Sequence, residues 1–299
     1  MTISVKSINT MLEGNIRQFM ENSDRHLLNQ IEETAKILCK NHIPAVLISG
    51  PSGSGKTTSA HILSGILCDM GISSHSVSMD NYFKPFTPEE RKLLAEGKID
   101  LESPARIDSE LLSSQIEMII KGKKVEIPVY DFKVSGRSYN GNFIQRKKNE
   151  IIIFEGIHAL NSDVIRIDDD NTFRIYVSVR TRVQNGEIIL HPSKIRLLRR
   201  IIRDRIHRGR SADETLQLFE SVQEGEHKYI MPYKSRSNCN IDTFLPYELS
   251  IYRNFLESNG MAIKNSPMTS DLLKILEDVK PAESIYLSEN SLIQEFVGS

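Results

Sequence analysis

The sequence predicts an α/β fold, a three-layer sandwich around a mostly parallel central sheet. Two wholly apolar runs, Ala45-Val46-Leu47-Ile48 and Ile151-Ile152-Ile153-Phe154, have the length and composition of strands buried on both faces. The first runs into Gly50-Pro51-Ser52-Gly53-Ser54-Gly55-Lys56-Thr57-Thr58, and a helix-like segment over residues 59–70 follows. Strand, glycine-rich loop and helix in that order form the context of a phosphate-binding loop of pattern G-x-x-x-x-G-K-T.

The order of residues in this loop has a chemical reason. Gly50, Gly53 and Gly55 let the backbone curl, so that N–H groups between Ser52, Ser54 and Thr58 can converge on phosphate oxygens at the positive end of the next helix. Lys56 supplies a mobile charge for the outer phosphates, and the Thr57 hydroxyl is placed to ligate Mg²⁺. A glycine-rich turn without a ligand is the plain alternative. A dinucleotide fingerprint fits less well, because Lys56-Thr57-Thr58 stands where a third glycine is needed.

Before the loop, Leu27, Leu28, Ile31, Ala35, Ile37 and Leu38 recur at near-helical spacing, and Ser23 or Asp24 is the expected N-cap. Residues 1–22 are weakly patterned. A helix docked on the main domain accounts for this stripe better than a partner-binding helix does. After the loop, Ser76-Val77-Ser78-Met79 reads as a second strand ending at Asp80, where an open parallel sheet gathers its ligands. Asp80 is equally suited to a turn before Asn81.

Residues 87–96 form an expected solvated helix, and Asp108 is the expected N-cap of a helix reaching Lys121. Pro128 makes Val125 to Phe132 an edge ribbon, whose Tyr130 and Phe132, with Tyr139 beyond it, can wall a pocket or simply cover the core. The strand at residues 151–154 ends in Glu155, a carboxylate placed to hold Mg²⁺ directly or through water. His158 has no ligand-type neighbour at suitable spacing and reads as structural. Phe173-Arg174-Ile175-Tyr176-Val177 is a further strand.

Seven arginines fall within residues 196–210, beside an apolar stripe of Ile195, Leu198, Ile202 and Ile206. A solvated basic face is the plain reading. Next to a phosphate loop, guanidinium groups that neutralise transition-state charge become the better one. Ser211 and Glu214 form a capping box opening another helix. Residues 246–299 have the spacing of short helices and no chemical motif.

Composition limits the partners. The chain of 299 residues carries 38 basic against 39 acidic side chains, so no global field points to nucleic acid or a membrane. Cys39, Cys68 and Cys239 are odd in number and far apart, which argues against disulfides or a zinc site. No signal pattern or membrane-length apolar run is evident, and a cytoplasmic setting is expected.

Five ordered motifs resemble the uridine kinase and phosphoribulokinase family. They are Gly50 to Thr58, Met79-Asp80-Asn81-Tyr82-Phe83, Ile127 to Phe132, Phe154-Glu155-Gly156-Ile157, and Arg199 to Asp204 followed by Arg208-Gly209-Arg210. The closing residues 291–299 are similar to the tail of a bacterial subgroup of that family. The resemblance implies a P-loop NTPase sheet over about residues 43–245, an arginine-bearing lid at about 193–212, and helical extensions at 1–42 and 246–299. It implies ATP and Mg²⁺, with Thr57, Glu155 and Asp80 around the metal and Lys56, Arg203 and Arg208 on the phosphates. Asp80 is the implied base for the attacking hydroxyl.

The acceptor is implied to be a small nucleoside or sugar held by Phe83, Glu102, Tyr130, Phe132, Arg137, Arg200 and Arg210, with homo-oligomerisation left open. Three features depart from the pattern. Glu102 replaces an Asp, Ser135 stands where a pyrimidine-reading His is usual, and Leu218 stands near the place of a Gln. Residues 181–194 are longer than the usual connection. Fewer polar groups reading the base should relax or change specificity. A GTPase switch is disfavoured, since neither N-K-x-D nor D-x-x-G occurs.

Overall fold

The computed structural model describes residues 1–96, 98–132, 134–167 and 169–298. A short strand β1 (Thr2–Ser4) leads into α1 (Val5–Glu13) and the long α2 (Ile16–Asn41). β2 (Ala45–Ser49), α3 (Lys56–Asp69) and β3 (Ser74–Ser78) follow, then α4 (Pro88–Ala95) and α5 (Ser109–Ile120). Next come a ribbon region of β4 (Val125–Glu126), β5 (Val129–Asp131), β6 (Gly136–Ser138) and β7 (Phe143–Ile144), and two longer strands, β8 (Ile151–Glu155) and β9 (Thr172–Ser178). The chain continues through the hairpin β10 (Arg182–Asn185) and β11 (Ile188–Leu190), α6 (Pro192–Arg208), α7 (Ala212–Gly225) and β12 (Cys239–Asp242). It closes with α8 (Glu248–Ser258), α9 (Ser270–Asp278) and α10 (Gln294–Val297).

Five strands make the central sheet, in the order β12-β9-β2-β8-β3, and every pairing is parallel. Alternation along the strands divides the core in two. Val46 and Ile48 of β2 and Ile151 and Ile153 of β8 face α2, α3, α6 and α8, while Leu47, Ile152 and Phe154 face α5. Both faces are covered, which is why these strands read as unbroken apolar runs. β2 lies between β8 and β9, so the loop after it opens at the point where the chain's crossovers diverge.

Local signals account for most helix ends. Thr87 and Glu90 close a capping box on α4, Ser211 and Glu214 do so on α7, and the Asp108 side chain accepts from Leu111 N at 3.2 Å. The expected cap at Ser23 or Asp24 is corrected. Asn15 caps α2, accepting from Gln18 N at 3.0 Å, and the Ser23 hydroxyl donates within the helix to Phe19 O at 2.8 Å. The apolar stripe runs back through Met20, Phe19 and Ile16, so the helix starts where that stripe starts. The weakly patterned first residues include β1, which pairs in parallel with β10, and the long connection at 181–194 is the hairpin that receives it.

The first half of the basic face of α6 is not solvated. Ile195, Leu198, Ile202 and also Arg196, Arg199 and Arg200 are buried. Arg199 is fully enclosed, with Nε donating to Glu248 Oε2 at 2.7 Å and Nη2 to Glu248 Oε1 at 3.0 Å. Burial works against its charge, but the Glu248 carboxylate outweighs this and raises the guanidinium pKa. Replacing Arg199 by Ala leaves Glu248 buried without a partner. Chemical denaturation should show a loss of about 3–5 kcal/mol, and the double change Arg199→Met, Glu248→Leu should recover a large part of it.

Candidate functional site

The loop after β2 owes its shape to close approaches that side chains would prevent. A Cβ on Gly50 would fall 1.9 Å from Val177 O, and Gly55 sits at φ 83° immediately before α3. The loop's carbonyls are bonded from behind. Arg196 Nη1 donates to Ser52 O at 3.2 Å, Arg199 Nη1 to Gly53 O at 3.2 Å, and the Thr243 hydroxyl to Ser54 O at 2.7 Å. Arg200 Nη1 donates to the Ser52 hydroxyl. The first N–H groups of α3 have no acceptor within the helix, so the turn from Lys56 to Thr58 presents an anion cradle.

The strand ends place reactive groups around this cradle. Lys56 Nζ donates to Pro51 O at 3.3 Å, and burial lowers its pKa while Glu155, Asp80 and Glu295 raise it. The Thr57 hydroxyl donates to Glu155 Oε2 at 3.4 Å, and Glu155 is buried at the end of β8. Asp80 follows β3, which pairs with β8 at Ser78 and Glu155. It opens onto the cleft but is ringed by protein. Loss of water and then the Glu155 charge raise its carboxyl to about 6, against the pull of Lys56, Arg208 and Arg203.

The end of α6 contributes a guanidinium group of three around one carboxylate. The fully buried Asp204 is met by Arg203 at 3.0 Å, Arg208 at 3.2 Å and Arg210 at 3.6 Å. Three cations on one anion leave net positive charge directed at Asp80. Arg200 lies deeper, where burial and then Arg203 push its pKa down to about 10, and Glu102 is among the carboxylates acting against that shift.

Glu102 fits because α7 ends in Gly225, where a Cβ would fall 2.3 Å from Glu102 Cβ. Burial raises its carboxyl, and Arg200 and Lys56 act against this. Its backbone carbonyl lies 2.9 Å from His158 Nε2, and burial depresses that imidazole to about 4. His158 is therefore neutral with its proton on Nε2, a structural role as expected. Beyond Glu102, the rings of Phe83, Tyr130 and Phe132 meet at centroid distances of 5.0–5.9 Å, with Tyr130 buried and Phe132 63% exposed. Tyr130 N donates to Asn81 Oδ1 at 3.3 Å, tying this corner to the turn that carries Asp80. Arg137 is committed to Asp108 at 2.8 Å. Ser135 turns the ribbon at φ 49°.

The structure thus gathers Lys56, Thr57, Asp80, Glu155 and Arg203 at one cleft, with Glu102 and the aromatic corner alongside. Three contributors escape the sequence reading. Arg199 falls on the apolar stripe, one turn from Ile195, a signal that it is buried rather than presented. Thr243 and Glu295 carry no such signal, because their contacts with Ser54 and Thr58 join residues about 190 and 240 positions apart.

The sequence profile of the phosphoribulokinase / uridine kinase family matches residues 45–247. The chain belongs to this family. It is accordingly a phosphotransferase with an alcohol acceptor. Among its relatives, Uridine-cytidine kinase 2-B of Danio rerio is 29% identical over 200 residues, covering 65% of this chain and 70% of that protein. Uridine kinase of Lactobacillus helveticus is 34% identical over 194 residues, covering 62% and 80%. Among solved structures, YFH7 from Saccharomyces cerevisiae, a P-loop protein with a circular permutation, superposes with a TM-score of 0.51 at 11% identity, covering 72% of this chain and 98% of that one.

The raised pKa of Asp80 makes a stability prediction. Its folded value near 6 exceeds the ordinary 3.8, so ionising the carboxyl costs stability as pH rises through that interval, and the penalty is complete above 6. Asp80→Asn removes it. Thermal melts should show the variant more stable than wild type at pH 7.5 and equal to it near pH 3.5.

Proposed function

We propose that the protein is an ATP- and Mg²⁺-dependent kinase that transfers the γ-phosphoryl group to the 5′-hydroxyl of a ribonucleoside, with uridine and cytidine as the first candidates. One observation carries this reading: Glu155 and Asp80 lie at adjoining strand ends beside Lys56 and Thr57 of α3, with a stacking corner of Phe83, Tyr130 and Phe132 alongside. The relatives named uridine kinase support the same acceptor class.

The donor set suits Mg²⁺. Thr57 Oγ1 and the Glu155 and Asp80 carboxylates are hard oxygen donors, and among the described residues no cluster of three His, Cys, Asp or Glu forms an all-protein metal cage. Such a set fits an ion that takes further ligands from phosphates and water, and when bound it neutralises phosphate charge. Lys56 and the amides of the loop hold the outer phosphates, while Arg203 and Arg208 face the charge that develops on the transferred group.

Asp80 accepts the proton of the acceptor hydroxyl as the new O–P bond forms and the bond from the γ-phosphorus to the ADP oxygen breaks. A carboxylate near pKa 6 is ionised at neutral pH and more basic than an ordinary Asp, which suits the task. Glu102 is the group placed to accept sugar hydroxyls, and Arg200 balances its charge. An acceptor that already carries phosphate would need an uncommitted cation on this side. Arg137 is paired to Asp108 and supplies none, which leaves the surplus guanidinium charge around Asp204 as its source.

A coupled assay over nucleosides, sugars and sugar phosphates tests the reading. Ribonucleosides should give turnover and ribulose 5-phosphate should not, and the opposite result overturns the acceptor class. With the accepted nucleoside, kcat/KM should fall below about pH 6 as Asp80 of the free enzyme protonates, and Asp80→Asn should lose on the order of 10²–10⁴ in kcat. Removing the exposed ring in Phe132→Ala should raise the nucleoside KM by about 2–10-fold and leave the ATP KM unchanged.

A further inference from the structure

The C-terminal segment lies outside the span matched by the family profile, yet it reaches the phosphate loop. Ser291, Leu292, Ile293 and Phe296 are buried, and the Phe296 ring lies 5.1 Å from the Arg199 guanidinium carbon. Leu292 packs on the loop so closely that a Cβ on Gly55 would fall 2.6 Å from its Cδ1. These anchors hold α10 in place, and the Thr58 hydroxyl donates to Glu295 Oε2. Glu295 also acts electrostatically on Lys56.

The direction of a bound donor follows from the cradle. Lys56 serves the β- and γ-phosphates and Thr57 the metal, with Asp80 and Glu155 on the acceptor side. The α-phosphate then falls toward Thr58, and the donor's ribose comes next along the chain of the ligand. Glu295 stands at that end. A carboxylate fixed beside a phosphate repels it unless the ligand offers hydrogen bonds. The α-phosphate has none to donate, whereas the adjacent ribose carries two hydroxyls. Carboxylates meet nucleotide ribose in the same way in dinucleotide folds.

We propose that Glu295 is the acceptor for the donor nucleotide's ribose hydroxyls, which makes the C-terminal segment a wall of the donor site and a determinant of selectivity for ribonucleotide donors. The inference rests on the phosphoryl-donor reading of the loop given above. It is separate from Glu102, which serves the acceptor side.

Calorimetric titration of the full chain with Mg²⁺ and three ligands tests it: ATP, 2′,3′-dideoxy-ATP and inorganic tripolyphosphate. Wild type should bind ATP about ten-fold more tightly than dideoxy-ATP, the scale of hydrogen bonds to a charged group. Glu295→Ala should bring ATP down to the dideoxy level while tripolyphosphate is held as tightly as before or more so. ATP and tripolyphosphate tightening together would show that the carboxylate only repels phosphate, and unchanged selectivity for ATP over dideoxy-ATP would equally overturn the proposal. If the Ala variant loses tripolyphosphate through disturbed packing, Glu295→Gln, which keeps an acceptor for Thr58, supplies the same comparison and should show a smaller loss of selectivity. Wild type that binds neither ATP nor tripolyphosphate would overturn the kinase reading, and this inference with it.

Discussion

A phosphate loop must turn its N–H groups toward an anion, and this obliges its carbonyls to find partners elsewhere. In this protein the partners are the guanidinium groups of α6 and one threonine hydroxyl after β12, which donate to Ser52, Gly53 and Ser54. The cations are stable in that position because they are themselves paired, Arg199 with Glu248 and Arg196 with Glu226. The helix that reads as a basic surface is therefore the back wall of the loop. Its first half is core, and its exposed end, with Arg208 and Arg210 around Asp204, lies toward the cleft. One helix thus shapes the anion site from behind and supplies positive charge in front of it.

The charges within the cleft are arranged as opposed pairs. Burial and then the Glu155 charge raise the cost of ionising Asp80, while Lys56, Arg208 and Arg203 lower it. The balance leaves Asp80 with a proton affinity between that of a surface aspartate and that of an isolated buried one. Neither burial nor the arginines alone would place it there. In the proposed reaction a triphosphate would add negative charge and its metal positive charge, so the balance is one such ligands would shift.

Much of the fold, and the meeting of the candidate site residues at one cleft, was legible in the sequence, because both rest on local rules. The apolar runs at 45–48 and 151–154 report burial on two faces, and the G-x-x-x-x-G-K-T pattern carries its own backbone requirements. Asp80 and Glu155 could be placed because strand ends in a parallel sheet share one rim. What could not be read depends on distant pairings. The cap of α2 lay hidden because its stripe begins earlier than the strongest apolar residues. Arg199 falls on the apolar stripe, but its partner Glu248 lies 49 residues away. The tail resembled that of a family subgroup, but nothing near Leu292 or Glu295 announces a partner among residues 55–58.

The two ends of the described chain meet. Asn9 donates to Asp278 O at 2.8 Å and accepts from Lys280 N at 2.7 Å, while β1 pairs with a strand about 180 residues away. Such contacts close late, since the cost of loop closure precedes any gain from pairing. The long α2 meets α3 directly after the loop, whereas Asn9 gains its partners only with residues 278–280. Residues 278–280 thus complete the contacts of the N-terminal segment, and the stretch just beyond them reaches Gly55 and Thr58.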